Sequence, residues 1–461
     1  MNPDKNTLKE IQAIEEKIRL LCRTAQNPAA VSLAVLLAYC SAAAEAGGTP
    51  TPLQKPAGVS EGKVCPTATF EQIEETCRAW EEANPAMQDT AGALLRSMPR
   101  DAAVQKTLED ALVLLRQYAG KQEPSAAASF LAGCLDTMPG GGRDRLEMDT
   151  PDYICELFRA LGGELPATGG TTSLYDPCCG TGRLLATMAQ GRSCTLAGQD
   201  ISHSVEPYFH LRHLLAGTGR ARLTLKDAIA EPPLDSEGKL QQFDAVVVQP
   251  PFGFDPPNPV KKDPHGRFPR DQLKRNSGEW LHILNVLAHA DKSHGLVMVL
   301  ATRATLFRVD ISQQIRQELL GDNLPETVVA LPAGLLPATG VAPVLLVFRY
   351  GRKKQGIRFV NAEGMGTRER RYTSLSKEEI GRICAACAAD GDMPGFARTV
   401  QPEEIAANEH CWDVARYVRP ERDSEHVDPE ELYGQVAALR ARLAEKKARL
   451  QELLQGFGSM P

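Results

Sequence analysis

The sequence predicts an α/β fold: a doubly wound, largely parallel sheet that follows an all-helical region and precedes one amphipathic helix. Three observations predict it. Up to residue 138 the apolar positions recur at helical spacing. After residue 143 short apolar runs end in Gly or Pro turns and alternate with helical patterns, as in a parallel sheet. From Val427 onward, leucines step by three and four residues, the spacing of a helix seam.

In residues 5–24, Leu8, Ile11, Ile14, Ile18 and Leu21 share one helical face. Pro28 then opens the Ala-rich run 29–44, whose 16 residues carry no charge before Glu45. A bilayer needs about 20 such residues, so the run reads as a buried bundle helix. Residues 47–66 form a Gly/Pro/Thr-rich linker, and helical patterns follow at 69–83, 101–118 and 125–138. Residues 139–142, Pro-Gly-Gly-Gly, are a hinge. Candidate strands then fall at 173–175, 195–198, 221–225, 245–248, 295–300, 327–331 and 344–348. The expected domains are residues 1–140 (helical), 144–425 (catalytic α/β) and 426–461 (a helical tail).

Composition bounds the function. The 461 residues are 43% hydrophobic, enough for a real core and too many for a disordered chain. The 12 cysteines are scattered from Cys22 to Cys411 without the dense spacing of a secreted framework. The N-terminus lacks a basic segment followed by an apolar one, so a cytoplasmic location and no membrane partner are expected. Cys384 and Cys387 form a CxxC inside a helical pattern with no second pair at zinc spacing, so no metal site is expected. The formal charge of -6 argues against a globally basic nucleic-acid-binding surface.

The motifs that carry chemistry fall at strand ends. Leu174-Tyr175-Asp176-Pro177-Cys178-Cys179-Gly180-Thr181-Gly182 runs from an apolar strand through an acid into a Gly-X-Gly turn that opens a helix. Such a turn lets backbone approach a nucleotide-like ligand at the carboxyl edge of a sheet. Alone, it fits a structural turn equally well. The next strand ends in Gly198-Gln199-Asp200, where an acid can bind a ribose diol, and the third in Lys226-Asp227-Ala228. Each acid singly fits an N-cap or a surface charge; three at successive strand tips point to a ligand. The fourth strand ends in Gln249-Pro250-Pro251-Phe252-Gly253. Two prolines fix a rigid turn, holding an amide that can bond an exocyclic amine beside a ring that can stack on a planar base. By itself that motif also fits a turn packing Phe252 into the core.

In order and wording these motifs resemble the N6-adenine DNA methyltransferases, specifically the modification subunit of type I restriction-modification systems. The resemblance runs through Asp149-Thr150-Pro151, the loop from Asp176 to Gly182, Gly198-Gln199-Asp200, Asp227-Ala228, Gln249 to Gly253, residues 302–308, residues 331–340 and Arg416-Tyr417-Val418. It implies a Rossmann-like S-adenosylmethionine-dependent methyltransferase domain. In it, Asp149, Thr150, Pro151, Asp176, Pro177, Cys179, Gly180, Thr181 and Gly182 would hold the methionine part of S-adenosylmethionine. Asp200 would hold its ribose, and Asp227 with Ala228 its adenine. Gln249, Pro250, Pro251 and Phe252 would hold the target adenine, flipped out because its N6 atom is unreachable in the stack.

Two positions depart from the family pattern. Gln249 stands where the family has Asn or Asp, carrying its amide one methylene further out, and a misplacement near ~1 Å can cost ~100-fold in rate. A weak or inactive subunit that still binds S-adenosylmethionine and DNA is therefore the alternative. Arg183 replaces a usual glycine. Methylation of RNA or of a protein glutamine is a further option, since related pockets carry a similar motif; the helical N-terminal region and the stretches after residue 300 argue against it.

DNA contact is expected from Lys261, Lys262, Arg267, Arg270, Lys274 and Arg275, six cations against three acids in residues 255–276. A solvated charged loop has the same composition. The acidic remainder predicts weak DNA binding by the chain alone. The 111 residues after Tyr350 read as mostly helical, leaving no sequence-reading module. A specificity subunit docking on the tail, residues 428–454, is the expected partner, a helix lying on its own protein being the alternative. The resemblance also allows for a second copy of the chain and a restriction subunit.

Overall fold

The N-terminal region comprises α1 (Lys5–Thr24), α2 (Pro28–Ala46), α3 (Phe70–Ala83), α4 (Thr90–Arg96), α5 (Ala102–Ala119) and α6 (Pro124–Thr137). The structure, a computed structural model, describes residues 5–24, 28–46, 53–56, 69–137, 150–218, 221–253, 263–268, 278–336, 339–370, 372–419 and 429–457. Asp149, Lys261, Lys262, Arg270, Lys274, Arg275 and the 139–142 hinge lie outside the described residues. Local chemistry sets the helix starts. Thr69 accepts from the Gln72 N–H while the Gln72 side chain accepts from the Thr69 N–H at 3.0 Å, closing a capping box on α3. Asp101 caps α5 through the Ala103 and Val104 N–H groups, both at 2.9 Å. The Ala-rich run is a buried helix, with Val31, Leu33, Leu37 and Tyr39 of α2 inside the helical core. Helix α4 is not among the expected elements, because seven residues hold too little periodicity to read.

The central sheet has the order β11-β8-β6-β7-β5-β4-β1-β2-β3. Its strands are β1 (Thr172–Asp176), β2 (Cys194–Asp200), β3 (Ala221–Leu225), β4 (Ala245–Val248), β5 (Leu296–Thr302), β6 (Pro325–Ala330), β7 (Pro343–Arg349), β8 (Ile357–Asn361) and β11 (Ala397–Val400). The short pair β9 (Thr367–Arg368) and β10 (Thr373–Ser374) stands apart from it. Strands β3, β2, β1, β4 and β5 run parallel, and β7 lies antiparallel between β5 and β6. From β1 the chain builds β2 and β3 to one side, then crosses to β4 and β5 on the other. That reversal is a topological switch point at the carboxyl ends of β1 and β4, the place where open α/β sheets bind ligands.

Central strands are apolar on both faces because helices cover both. In β5, Leu296, Met298 and Leu300 enter one core, with Leu157 of α7 (Asp152–Gly162) and Leu185 of α8 (Arg183–Ala189). Val297, Val299 and Ala301 enter the other, with Phe348, Trp280 of α10 (Gly278–His289) and Ile315 of α12 (Ile311–Gly321). Helix α9 (Glu206–Ala216) serves two cores: Phe209 faces the sheet, while Leu211 and Leu214 join the helical core. The helical and α/β regions accordingly share one compact unit, Met1–Val418, and residue 140 does not divide compact units.

Each of the seven expected strands has its counterpart; β8, β9, β10 and β11 are additional, so the region after Tyr350 is less helical than expected. The reason is a buried cation. Arg358 interrupts the apolar pattern of β8, yet its guanidinium is satisfied inside by the carbonyls of Ala386 (2.8 Å) and Gly391 (2.9 Å). The second unit, Arg419–Pro461, carries the 29-residue helix α16 (Pro429–Phe457), on which Tyr433 is 77% and Leu439 64% exposed. Among the described residues, no helix is long and apolar enough to cross a membrane.

Candidate functional site

Asp176, Asp200, Asp227 and the Gln249–Phe252 turn lie at or just beyond the carboxyl ends of β1, β2, β3 and β4. Asp176, at the tip of β1, is buried and accepts the Cys178 N–H at 2.9 Å. Burial pushes its carboxyl up to about 8, with the Cys178 N–H opposing and the neighbouring Asp200 charge adding to the rise. The loop then bends back on itself, the Gly182 N–H reaching the Cys179 carbonyl at 2.8 Å. Gly180 and Gly182 both take positive φ, 52° and 80°. A Cβ on Gly182 would lie 2.8 Å from the Phe209 ring, and one on Gly198 2.7 Å from it. The space in front of both glycines is filled by the Phe209 ring of α9, so their lack of a side chain also serves the packing of that helix.

Asp200 ties the second strand to this loop. Its Oδ2 accepts the Gly180 N–H at 2.9 Å and its Oδ1 the Ser202 N–H at 2.8 Å. Burial raises its carboxyl above the usual range against those N–H groups. Gln199 braces the layer beneath, accepting from the Tyr175 hydroxyl at 3.0 Å and donating to the carbonyls of Lys226 (3.2 Å) and Glu231 (2.9 Å). Beyond β3, Asp227 Oδ1 accepts the N–H groups of Ile229 (2.8 Å) and Ala230 (3.3 Å), and Ala228 is buried. The other oxygen, Asp227 Oδ2, is buried with no partner.

After β4, Pro250 is buried, Pro251 exposed, and Phe252 half-buried with one edge against the sheet's core. Gln249 Oε1 is a second buried oxygen without a partner. Thr150 and Pro151 lead into α7, where the Cys155 N–H bonds the Pro151 carbonyl at 3.0 Å. Arg183, the departure from the family pattern, pairs with Asp152 and so links that segment to the glycine loop. The thiols of Cys178 and Cys179 are pushed far up by burial and by the Asp176 charge, and burial holds His282, 3.7 Å from Cys178 Sγ, neutral at about 4. The arrangement can hold polar ligands and orient an amine; it does not generate a thiolate nucleophile.

Arg267 is a correction. Expected at the DNA surface, it is 7% exposed and ion-paired with Asp263 at 3.0 Å, so it faces inward. A cation inside a basic run reads as solvated, and nothing in the pattern marks this one as buried. Ile201, directly after Asp200 and 57% exposed, is an apolar surface at the site that the sequence reading did not single out. Its only signal is an apolar residue following an acid at a strand tip.

Residues 143–426 match the family model described as N-6 DNA Methylase. The type I restriction enzyme MjaVIII methylase subunit of Methanocaldococcus jannaschii is 28% identical over 309 residues, 61% of this chain and 52% of that protein. The MpnII methylase subunit of Mycoplasma pneumoniae is 23% identical over 336 residues, 68% of this chain and 60% of its own length. The chain thus spans only about half to three-fifths of these curated relatives. The crystal structure of a type I restriction-modification methyltransferase subunit from Streptococcus thermophilus superposes with a TM-score of 0.67 at 17% identity, over 90% of this chain and 100% of that one. At that identity the likeness concerns the fold.

Proposed function

The chain belongs to the N-6 DNA methylase family, and from that premise we propose that it methylates the N6 amine of an adenine flipped out of double-stranded DNA, using S-adenosylmethionine, in the cytoplasm. The observation that carries this reading is the pair of buried, unpartnered oxygens, Asp227 Oδ2 and Gln249 Oε1, at the carboxyl edge of one sheet. A buried acceptor left unpaired costs about 1–3 kcal/mol, so each calls for a donor from outside the chain. Asp227 Oδ2 suits the adenine amine of the cofactor. Gln249 Oε1 suits the amine that is to be methylated.

The remaining residues fit the same pair of ligands. Each Asp200 oxygen accepts one backbone N–H and keeps a lone pair for a ribose hydroxyl. The resemblance assigns Asp149, Thr150 and Pro151, with Asp176, Pro177, Cys179, Gly180, Thr181 and Gly182, to the methionine end, and Ala228 to the adenine. The bound cofactor supplies an electrophilic methyl group on a sulfonium sulfur. An adenine amine is a poor nucleophile because its lone pair is delocalised into the ring. Gln249 Oε1 and the Pro250 carbonyl accept its two N–H bonds and draw the nitrogen towards tetrahedral geometry, while Phe252 stacks on the base and Pro251 stiffens the turn. The rate gain rests on orientation and preorganised dipoles.

In this reading the chain is the modification subunit of a larger complex. A specificity subunit docks on α16, a second copy and a restriction subunit complete the assembly, and Lys261, Lys262, Arg270, Lys274 and Arg275 add phosphate contacts. The resemblance itself favours a second reading, a subunit that binds S-adenosylmethionine and DNA with little or no turnover, because the family pattern has Asn or Asp where this chain has Gln249. Labelled S-adenosylmethionine and genomic DNA, given to the reconstituted complex, separate the two. Label in DNA supports the enzyme. No label with wild type, but labelling restored by Gln249→Asn, establishes the second reading, and label in RNA or protein instead overturns both.

A further inference from the structure

Arg267 is a buried cation that the proposed chemistry leaves unused. A guanidinium has five N–H donors, and all five are engaged. Nε and Nη2 donate to Asp263 Oδ1 at 3.1 and 3.0 Å. Nη2 also donates to the Ile229 carbonyl at 2.8 Å, and Nη1 to Asn285 Oδ1 at 2.9 Å and the Ala228 carbonyl at 3.4 Å. The side chains of Arg267 and Asp263 are 2% and 5% exposed. No donor remains for a phosphate. Hydrogen bonds and charge from Arg267 hold the Asp263 carboxyl below the usual range, although burial alone would raise it.

The bonds of Arg267 point at one loop. Ala228 and Ile229 directly follow Asp227, and the Ile229 N–H is itself a donor to Asp227 Oδ1. The loop is therefore pinned through its N–H groups by Asp227 and through its carbonyls by Arg267. The segment that carries Arg267 follows the Gln249-Pro250-Pro251-Phe252 turn in sequence, and Asn285 lies on α10. One buried guanidinium thus joins the chain beyond the target turn to the loop beside the unpartnered Asp227 oxygen.

We propose that Arg267 is a positioning residue that sets the cofactor's adenine loop, with Asp263 fixing its orientation, and that it makes no DNA contact. The inference rests on the proposed function, because it takes Asp227 as the adenine acceptor. Lysine cannot replace it, since three donors on a point charge cannot span acceptors on two loops and a helix.

The test uses the full chain and, for turnover, its reconstituted complex, with Arg267→Lys and Arg267→Gln. Calorimetry with S-adenosylhomocysteine and with 5′-methylthioadenosine reads the adenine end, and DNA binding across a salt series reads phosphate contact. Both variants are expected to lose roughly tenfold in affinity for both probes, the equivalent of a weakened hydrogen-bonded loop. The cofactor KM rises while kcat at saturation stays within about twofold. The salt slope of DNA binding stays that of wild type. A phosphate contact predicts the reverse: unchanged probe affinity, Arg267→Lys behaving as wild type, and a slope smaller by about 1 in Arg267→Gln. That result overturns the proposal, as does a parallel fall of kcat and affinity that follows the loss in melting temperature. If Arg267→Gln does not fold, Arg267→Lys decides through probe affinity. Wild type that binds neither probe overturns the functional reading itself, whereas wild type that binds beside an indifferent Arg267→Lys overturns only the positioning role.

Discussion

The two sides of the sheet's carboxyl edge are built on different plans. On the side of β1, β2 and β3, carboxylates take backbone N–H groups: Asp176 from Cys178, Asp200 from Gly180 and Ser202, Asp227 from Ile229 and Ala230. That side is cross-linked into a preformed cradle, with one carboxylate oxygen left over at its rim. On the β4 side, no such carboxylate network holds the motif among the described residues. Two prolines stiffen the turn, and Gln249 offers an amide oxygen with no internal partner. The difference teaches a division of labour. A ligand that stays bound suits a network of fixed acceptors, whereas a base that must enter and leave suits a stiff turn with one free acceptor and one ring.

The sharpest way to break this comparison is to damage one side alone. Gln249→Ala is expected to lower methyl transfer by about 10³-fold, the scale of one lost electrostatic contact to a reacting group, in the labelled-transfer assay. Cofactor affinity of the same variant stays within about twofold. If affinity falls with rate, the two sides are not separate.

A smaller effect probes the rigidity of the cradle. Gly198→Ala sets a Cβ 2.7 Å from Phe209 and 2.8 Å from Cys179 Sγ. Overpacking of this kind costs about 1–3 kcal/mol, to be read as a lowered melting temperature. Adding Phe209→Leu should recover part of it; no recovery would mean that Phe209 is not what the glycine accommodates.

The pH dependence of the cradle follows from Asp176. Its folded value of about 8 lies above the 3.8 of an ordinary Asp, so the neutral form is favoured in the fold. Its contribution to stability is fully present below 3.8 and is lost as pH rises through about 8. Melting temperature of the ligand-free chain should therefore decline across that window, and Asp176→Asn should flatten the decline. An identical slope in the variant would place the titration elsewhere. The smallest effect is expected from removing residues 428–461. Cofactor binding stays unchanged, and co-purification with a specificity subunit is lost; retained co-purification would refute docking on α16.

What was legible in the sequence depended on whether a residue's role is local. Acids at strand tips and the Pro-Pro turn could be read because each lies next to the strand that positions it. The same holds for helices whose caps are adjacent, such as Thr69 and Asp101. Strand β8 escaped because the partners of Arg358 lie at Ala386 and Gly391, far along the chain, so nothing nearby marked this cation as buried in a strand. Arg267 was misread for the same reason: its acceptors at Ala228, Ile229 and Asn285 are brought in by the fold. Gly182 was recognised as part of a special turn, but the occupant of the space before it, Phe209, belongs to a helix that also serves the N-terminal core. Composition likewise reported an acidic average and gave no sign of which cations face inward.

The central claim is that cofactor and target are held by two different unpartnered oxygens. Titrating S-adenosylmethionine calorimetrically into Asp227→Ala and Gln249→Ala, side by side with wild type, tests it most directly. The account predicts affinity reduced about 10- to 100-fold in Asp227→Ala, as for a lost bond to a charged acceptor, and wild-type affinity in Gln249→Ala. Equal losses in both variants, or none in Asp227→Ala, would contradict it.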